Sequence, residues 1–358
     1  MKTKKEIKCV VWDLDNTIWD GTILEDKSVR PFQHIIHCIK TLDERGILHS
    51  VASRNHYEDA MRYLKQFDLD KYFLYPQIHW GNKSQSINEI IKKINISADT
   101  VAFIDDQPFE LDEVRSVHPE ILCIPSKDAS MILENERFIP KYVTEDTRMR
   151  RSMYMMDILR DEDEKQYTGT SEAFLQSLRM EITIAFAQAD DLERLVELTE
   201  RTNQLNTTGY TYSYEELSEF SNSQDYRLLV VGLKDKYGTS GKIGLALLKI
   251  GTESWMVELL IMSCRVLARG IGTILIDFIL EKARREKCGV YAKFKKTQRN
   301  KMMYMTYIMA GFTLKEQAED IMILEHHMQN IRMLPSYAAI EDKTTNFSRP
   351  AVSLLISP

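Results

Sequence analysis

Apolar segments with strand character alternate with amphipathic helical segments over residues 7–105 of the chain. The predicted strands are 7–12, 47–53, 72–78 and 100–105, and the predicted helices between them are 31–45, 56–67 and 83–94. Because each helix must return the chain to the start of the next strand, this alternation predicts a parallel sheet with helices on its faces. Active sites of such sheets gather at the carboxyl ends of the strands, so the polar residues that follow the strands are the first place to look for chemistry.

A highly charged stretch over residues 144–170 interrupts this pattern, and a second set of strands and helices follows it. We predict a first domain over 1–148, a linker over 149–170, a second α/β domain over 171–330 and an extended tail over 331–358. The elements predicted in the second domain are strands 181–187, 227–233, 242–250 and 254–262 and helices 190–201 and 270–286. The apolar residues that would pack the tail are Val352, Leu354, Leu355 and Ile356.

Composition excludes several classes of protein. The 358 residues include 47 Lys+Arg and 53 Asp+Glu, so the net charge of -6 gives no reason to expect a nucleic-acid partner. The apolar runs are too short for a transmembrane helix or a signal peptide. The five cysteines are odd in number and form no CxxC pair, which is typical of a reducing compartment without structural zinc. We therefore expect a cytoplasmic protein with neither a membrane nor a nucleic-acid partner.

The segment Asp13-Leu14-Asp15-Asn16-Thr17 directly follows the first predicted strand. Two carboxylates separated by one residue across a turn can face one pocket, where one attacks phosphorus and the other transfers a proton. An ordinary aspartate is ionised at neutral pH, so Asp13 is already a nucleophile. Attack on a phosphate requires neutralisation of its charge by a hard cation with oxygen ligands, which predicts Mg²⁺.

DLDNT resembles the first motif, DxDxT, of the haloacid dehalogenase (HAD) superfamily, and three further motifs follow it in order. Ser53 in VASRN matches the second motif and Lys83 after IHWGN matches the third, which implies that both contact the phosphate. Asp105 and Asp106 in FIDDQP match the acidic fourth motif. The resemblance implies Asp13 as the nucleophile and Asp15 as the acid and base. It also implies that Asp13, Asp15, Asp105 and Asp106 surround the metal, with Asp106 favoured over Asp105 for direct contact. A lone DLD is equally well a solvated turn, but the ordered set favours the site.

The spacing of these motifs indicates an open site. Thirty-seven residues lie between Asp15 and Ser53, and 29 lie between Ser53 and Lys83. Each gap holds a helix, a loop and a strand and leaves no room for an inserted cap domain. A bulky or protein-bound substrate can therefore reach the site, with the hairpin-like segment Trp19–Asp26 as its flap.

A second phosphate-binding pattern lies in VELLIMSCRVLARGIG, residues 257–272, where a strand is followed by glycines and then a helix. Glycines at such a turn let backbone N–H groups approach a pyrophosphate. The segment resembles the R/Q-x-x-G-x-G/A signature of GNAT acetyltransferases, although Ala268 stands in place of the first glycine. The resemblance implies that coenzyme A or phosphopantetheine binds at the residues Arg265, Arg269, Gly270 and Gly272.

Downstream residues match the closing segment of the GNAT fold, namely Asn300, Tyr307 and Gly311-Phe312. The resemblance implies that Tyr307 protonates a leaving thiolate, and the alternative is a packed aromatic residue. Between the two segments, the stretch from Arg284 to Lys301 is strongly basic. It is either a solvated face or a docking surface for an acidic partner such as a carrier protein.

The order of a HAD domain and a GNAT-like domain with an SCRVL-x-RG segment resembles the FkbH-like family over about residues 7–325. The resemblance implies a role beside polyketide and nonribosomal peptide synthases. The best-understood members of the FkbH-like family take a phosphoglyceryl group from 1,3-bisphosphoglycerate, remove the phosphate and load glyceryl onto an acyl carrier protein. The GNAT-like domain would receive the phosphopantetheine arm of that carrier.

One position departs from the glyceryl-loading members, which carry Cys-Ser-Lys-Asn where this chain has Ala52-Ser53-Arg54-Asn55. An alanine cannot hold a thioester. Transfer then goes directly to the carrier thiol, or another thiol serves, or this branch performs different phosphoryl chemistry. Cys264 is the best substitute thiol, with a buried structural cysteine as the alternative.

The resulting hypothesis is a Mg²⁺-dependent HAD-type phosphoryl hydrolase or transferase that serves carrier-protein loading. One alternative is a plain phosphatase acting on a small metabolite, with the GNAT-like domain as an adaptor. Two others are an N-acetyltransferase with an accessory HAD domain and a docking module without catalytic activity.

Overall fold

A computed structural model of the chain describes residues 5–26, 28–202, 204–345 and 347. The chain divides between Met155 and Met156 into two compact units. The segment predicted as a linker, 149–170, consists mostly of one helix. This helix is continuous because RRSMYMMDILRDEDEKQ contains no glycine or proline, the residues that most disfavour a helix interior.

The first unit is built on a five-stranded sheet of order β5-β4-β1-β6-β7, in which all strands are parallel. Its strands are β1 Cys9–Trp12, β2 Trp19–Asp20, β3 Arg30–Pro31, β4 Leu48–Ser53, β5 Gln77–Ile78, β6 Val101–Asp105 and β7 Leu122–Pro125, of which β2 and β3 form a separate hairpin. Its helices are α1 Gln33–Glu44, α2 Tyr57–Gln66, α3 Lys83–Ile94, α4 Pro108–Val117, α5 Glu145–Arg148 and α6 Arg150–Gln166, the last of which continues into the second unit. The strands β1, β4 and β6 are buried throughout, as expected when helices cover both faces.

The connection from α1 to β4 shows how the chain returns to the sheet. The apolar stripe of α1 places Ile35, Ile39 and Leu42 in the core. Gly46 has a φ of +70°, and its N–H bonds to the carbonyl of Asp43 at 2.8 Å. A Cβ at Gly46 would lie 2.6 Å from a backbone oxygen, so only glycine fits this left-handed turn.

The second unit contains an eight-stranded sheet of order β13-β14-β12-β11-β10-β9-β8-β15. Its strands are β8 Met180–Phe186, β9 Tyr226–Asp235, β10 Gly238–Ile250, β11 Ser254–Met262, β12 Gly289–Lys295, β13 Phe312–Ala318, β14 Ile321–His326 and β15 Ala338–Asp342. Its further helices are α7 Ser171–Ser177, α8 Leu192–Arg201, α9 Tyr214–Asn222, α10 Ile271–Arg285 and α11 Lys301–Met309. Neighbouring strands are antiparallel except for the pairs β11–β12 and β15–β8.

The predicted fold class is confirmed, since a parallel-sheet α/β unit without a cap is followed by a second α/β unit. Two local predictions differ from the structure. Most of the predicted strand 72–78 is irregular, because Tyr75 adopts a left-handed φ of 51° before Pro76 and only Gln77–Ile78 pairs with the sheet. The predicted tail contributes β15 to the second sheet, whereas Val352, Leu354, Leu355 and Ile356 lie outside the described residues.

Among the helices that the structure describes, none combines the length and the apolar character needed to cross a lipid bilayer.

Candidate active site

The carboxyl edge of the first sheet collects the polar residues predicted from the strand ends. Asp13 follows β1, Ser53 is the last residue of β4, and Asp105 is the last residue of β6. Lys83 is the first residue of α3, which follows β5. Because the strands are parallel and adjacent, these four side chains meet at one edge.

Lys83 is the centre of a buried ion cluster. Its Nζ atom donates to Oδ1 of Asp13 and to Oδ2 of Asp105, with both distances at 2.6 Å. The Ser53 side chain also hydrogen-bonds to the Asp13 carboxylate. All four residues are buried, so the charges are held in place by one another rather than by solvent.

Burial controls the protonation of this cluster. It raises the pKa of Asp13 to about 6; the ammonium group of Lys83 opposes that rise, and the carboxylate of Asp105 adds to it. Burial also raises the pKa of Asp105 and that of Asp106. Burial disfavours the charged form of Lys83, but the carboxylates of Asp13 and Asp105 outweigh this effect, so its pKa is raised. The three carboxyl groups of Asp13, Asp105 and Asp106 thus share one ammonium group, that of Lys83, at this edge of the sheet.

This excess of carboxylates fits a divalent cation. Oxygen atoms of Asp13, Asp105 and Asp106 all lie within 4.8 Å of one another. Three carboxylate oxygens at this separation are the hard donors that Mg²⁺ prefers. A cation bound there would offset the cost of burying the carboxylates, which is the physical reason that the donor set suits the metal.

The Asp15 carboxylate, predicted beside the metal, lies outside this three-residue group. Its Oδ1 accepts hydrogen bonds from Nε1 of Trp19 at 2.8 Å and from the backbone N–H of Ile23 at 3.3 Å. Its Oδ2 accepts one from Nδ2 of Asn55 at 3.0 Å. Three N–H donors thus fix the orientation of this carboxylate.

Sequence reasoning missed Asn55 and the role of Trp19. Asn55 is buried two residues after Ser53, and its Nδ2 also lies 3.4 Å from the Ser53 hydroxyl oxygen. The place of Asn55 just beyond the end of β4 was the signal that could have revealed it. Trp19, the first residue of the predicted flap, is fully buried, and its ring N–H donates to Asp15.

Two further contacts tie the loops of this edge together through α4. Arg54 Nη1 lies 2.9 Å from Oε1 of the buried Glu110. The hydroxyl of Ser84 donates to Oε1 of Glu113 at 2.5 Å, and the Ser84 backbone N–H donates to Oε2 at 3.1 Å. The loop after β4 and the start of α3 are therefore both anchored to one helix, which holds the site in a defined arrangement.

Residues 21–115 match the family model described as haloacid dehalogenase-like hydrolase. The chain contains a HAD-like hydrolase domain. A human relative of this domain, magnesium-dependent phosphatase 1, is 29% identical over 136 residues, which cover 33% of this chain and 76% of that protein.

Solved structures resemble each unit separately. The N-terminal part of protein BF1531 from Bacteroides fragilis, which contains a phosphatase domain complexed with Mg, is 27% identical with a TM-score of 0.32. That match covers 39% of this chain and 42% of the other, so this chain spans less than half of the matched structure. The PaiA N-acetyltransferase from Thermoplasma acidophilum, in complex with coenzyme A, is 20% identical with a TM-score of 0.33 and covers 40% of this chain and 98% of the other.

In the second unit, the predicted glycine turn joins β11 to α10. A 3₁₀ turn over Cys264–Arg269 precedes Gly270, which has a φ of +69° and is the N-cap of α10. Gly270 and Gly272 line a cavity of about 40 Å³ together with apolar residues of β11 and α11. The two glycines therefore border a small, largely apolar space.

The two predicted cofactor-binding arginines belong to a buried ion network instead of lining this cavity. Arg269 Nη2 lies 2.8 Å from Oδ1 of Asp157, and its Nη1 lies 3.2 Å from the Ser240 hydroxyl and 3.5 Å from Oδ2 of Asp235. Arg265 donates to the Ser240 carbonyl at 3.3 Å. Burial lowers the pKa of Arg269 to about 10. This placement differs from the predicted cofactor-binding role. The arginines instead neutralise the buried carboxylates of α6 and β9, which require cationic partners.

Tyr307 and Cys264 belong to the second unit. Tyr307 is fully buried in α11, with its ring centroid 5.1 Å from that of Phe312, and burial raises the pKa of its hydroxyl. Cys264 is half-buried against the core of the second unit. The buried environment of Tyr307 is that of a packed aromatic residue, which was the alternative to its role as a proton donor.

Proposed function

We propose that the chain is a Mg²⁺-dependent phosphoryl hydrolase or transferase that dephosphorylates a phosphoglyceryl-type acyl group for loading onto an acyl carrier protein. The observation that carries the phosphoryl chemistry is the buried cluster in which Lys83 bridges Asp13 and Asp105. A nucleophilic carboxylate, a fixed cation and a hydroxyl donor at one open sheet edge are the groups that phosphoryl transfer requires.

In the first step, a carboxylate oxygen of Asp13 attacks phosphorus. The new bond joins this oxygen to phosphorus, the bond from phosphorus to the substrate oxygen breaks, and Asp15 gives its proton to that leaving oxygen. In the second step, water attacks the phosphorus of the aspartyl-phosphate and transfers a proton to Asp15. Inorganic phosphate leaves, and both carboxyl groups return to their starting states.

The surrounding residues stabilise the charge of the transferred group. Asp13, Asp105 and Asp106 would hold Mg²⁺, which when bound neutralises charge on the phosphoryl oxygens. Lys83 and Ser53 direct an ammonium group and a hydroxyl group at the same place. Because these donors are held before substrate arrives, little reorganisation is needed during the reaction.

The carrier-protein part of the proposal rests on the FkbH-like resemblance of the sequence. The motif spacing leaves no room for an inserted cap domain, which suits a phosphorylated acyl group borne by a protein as well as a free small acid such as 1,3-bisphosphoglycerate. The basic stretch from Arg284 to Lys301 suits an acidic carrier, and the GNAT-like domain would receive its phosphopantetheine arm. With Ala52 in place of the usual cysteine, we propose that the carrier thiol attacks the acyl carbon of 1,3-bisphosphoglycerate directly. A carbon–sulfur bond forms, the bond from that carbon to its phosphate oxygen breaks, and this first phosphate leaves; Cys264 is the substitute thiol to be tested.

Intact-mass spectrometry tests both parts in one mixture of enzyme, Mg²⁺, 1,3-bisphosphoglycerate and phosphopantetheinylated carrier protein. Added glyceryl mass on the carrier, together with phosphate release, is the expected result. Asp13→Asn should abolish loss of the 3-phosphate, so that phosphoglyceryl mass replaces glyceryl mass on the carrier, whereas the matched exposed variant Asp112→Asn on α4 should still give glyceryl mass. Mass on the enzyme that disappears in Cys264→Ala would locate a substitute thiol.

Two results would change the proposal. Unchanged loss of the 3-phosphate in Asp13→Asn would remove Asp13 as the nucleophile and the HAD-like site as the source of activity. Phosphate release without mass on either protein would leave a plain phosphatase with a GNAT-like adaptor.

A further inference from the structure

The parallel strands β11 and β12 of the second unit separate part-way along their length. Within residues 204–345, their pairing covers 254–257 of β11 and 289–292 of β12 and goes no further. Both strands continue past that point, β11 to Met262 and β12 to Lys295. Between the diverging ends lies a gap inside the domain, and the backbone groups that face it need hydrogen-bond partners.

Residues 205–208, from the connection between α8 and α9, lie in this gap, and we call them the plug. The backbone N–H of Met262 donates to the carbonyl of Leu205 at 3.0 Å. The N–H of Thr207 donates to the carbonyl of Leu260 at 3.1 Å, and the Leu260 N–H donates back to the Thr207 hydroxyl oxygen at 3.0 Å. The plug therefore pairs with the end of β11 as a neighbouring strand would.

The plug also bonds to the end of β12. The backbone N–H of Lys295 donates to the carbonyl of Thr207 at 2.9 Å. Nδ2 of the fully buried Asn300 donates to the carbonyl of Asn206 at 3.0 Å and to that of Lys295 at 2.9 Å. One side-chain amide thus joins the plug to β12, so both sides of the gap are closed by hydrogen bonds.

The side chain of Asn206 fixes the conformation of the plug. Its Oδ1 accepts from the backbone N–H groups of Thr208 at 3.0 Å and Gly209 at 2.8 Å. Its Nδ2 donates to the carbonyl of Tyr210 at 3.0 Å. Every residue of the plug is at most 1% exposed, so this segment fills the gap rather than lining it.

The plug also borders the glycine turn that the sequence predicts as a cofactor site. Leu205 lines the cavity of about 40 Å³ together with Gly270 and Gly272. Ligand pockets usually enclose about 300–1,000 Å³, so this space is far too small for coenzyme A. The side chains of Arg265 and Arg269 bond within the buried ion network instead. In this conformation, the residues at the turn do not fit a bound coenzyme A.

We propose that the plug is a gate of the second unit, which takes up coenzyme A only after residues 205–208 have left the gap between β11 and β12. The plug shows which chemistry fits there, namely an extended chain whose amide groups bond to the edge of β11. The pantetheine part of coenzyme A is such a chain, so it competes with the plug for the backbone groups of Leu260 and Met262. The carrier-protein arm of the proposed function would meet the same barrier.

A gate of this kind predicts an effect of opposite sign to the usual one. A ligand that binds only the open conformation has an apparent Kd weakened by the fraction of protein that is open. Loss of one buried hydrogen bond between the plug and its neighbours should raise that fraction about tenfold. Substitutions that loosen the plug should therefore tighten the binding of coenzyme A, whereas loss of a ligand-binding group would weaken it.

The test titrates coenzyme A calorimetrically into the full chain and into two loosened variants. Asn300→Ala removes the bond to the Asn206 carbonyl. Thr207→Val keeps the shape of the side chain but removes the acceptor of the Leu260 N–H. We expect an apparent Kd about tenfold lower in each variant than in the unmodified protein. Thr207→Val provides the answer if Asn300→Ala does not fold.

Asn222→Ala is the matched control. Nδ2 of Asn222 also donates to a backbone carbonyl, that of Ser218 at 2.8 Å, but at the exposed end of α9. This variant should bind coenzyme A with the Kd of the unmodified protein.

Hydrogen–deuterium exchange of residues 205–208, followed by mass spectrometry, reports on the plug itself. Exchange should be faster in both loosened variants than in the control, because the closed conformation is less populated. Added coenzyme A should speed the exchange further in these variants, because the ligand takes the place of the plug.

Equal or weaker affinity of the loosened variants would overturn the proposal, as would unchanged exchange of their plug. Absence of coenzyme A binding in a variant whose plug exchanges faster would also overturn it, and so would slower exchange of the plug on addition of the ligand. Asp13→Asn should give the results of the unmodified protein, so these measurements stand even if the phosphoryl chemistry of the proposed function fails.

Discussion

The Nζ atom of Lys83 lies 2.6 Å from Oδ1 of Asp13, and both side chains are buried at the carboxyl edge of the first sheet. The same ammonium group neutralises Asp105 at the same distance. One cation therefore supports two carboxylates, and the stability of the site depends on it more than on any single acid.

Lys83→Met should destabilise the first unit strongly. Removal of the ammonium group leaves Asp13 and Asp105 as uncompensated buried carboxylates, which costs about 3 kcal/mol in the free energy of unfolding at pH 7. Urea unfolding followed by circular dichroism measures this loss. Lys92→Met on the same helix is the control, since its pair with Glu89 is exposed and should contribute less than about 0.5 kcal/mol. Equal losses in the two variants would contradict the role assigned to Lys83.

Asp13→Asn should stabilise the metal-free protein in a pH-dependent way. The folded-state pKa of Asp13, about 6, lies above its ordinary 3.8, so the protonated carboxyl group favours the folded state and this contribution disappears as the pH rises through 6. At pH 8 the variant should exceed the unmodified protein by about 2 kcal/mol in metal-free urea unfolding, and at pH 4 the two should converge. A difference independent of pH would show that Asp13 does not titrate in this way. Added Mg²⁺ should stabilise the unmodified protein more than the variant.

Asn55→Ala should reduce kcat with little change in KM. The Nδ2 group of Asn55 lies 3.0 Å from Oδ2 of Asp15 but 3.4 Å from the Ser53 hydroxyl, so its loss frees the proposed acid and base more than it disturbs the phosphate-binding residues. We expect a fall of about 10-fold to 100-fold in kcat, measured by phosphate release over a range of pH. Asn330→Ala, at an exposed position in the second unit, is the control. A change confined to KM would assign Asn55 to substrate binding instead.

His49 should make the first unit sensitive to acid. Burial lowers the pKa of His49 to about 3, and its Nδ1 accepts a hydrogen bond from Nε1 of Trp12 at 3.0 Å. Because the folded-state pKa lies below the ordinary 6.5, the stabilising contribution is complete above pH 6.5 and is lost as the pH falls toward 3. His49→Gln keeps an acceptor for Trp12 and should remove about 2 kcal/mol of the stability difference between pH 7 and pH 5. An unchanged pH dependence of urea unfolding would rule out His49 as the titrating group.

Local patterns predicted much of the first unit because its strands and helices are regular and its motifs are contiguous. The apolar run before Asp105 indicated β6, and the stripe of Ile35, Ile39 and Leu42 indicated α1. The interruption at Tyr75 escaped prediction, since an apolar segment reads as a strand until a left-handed residue breaks its pairing.

The features that sequence reasoning missed depend on partners distant in the chain. β15 pairs in parallel with β8, which lies 158 residues earlier at the pair formed by Ala338 and Met180. The contact of Arg269 with Asp157 joins residues 112 positions apart. Asn55 resembles any loop asparagine until the fold brings it to Asp15. The local sequence pattern around each residue gives no sign of these distant pairings.

The parallel pairing of β15 with β8 also protects the second unit from self-association. Without residues 338–342, β8 would become a terminal strand whose unpaired backbone groups could recruit strands from other molecules. β15 covers those groups and presents the exposed side chains of Glu341 and Asp342 in their place. Charges on an outermost strand repel a second sheet, so a segment with little periodicity of its own acts as a safeguard against aggregation.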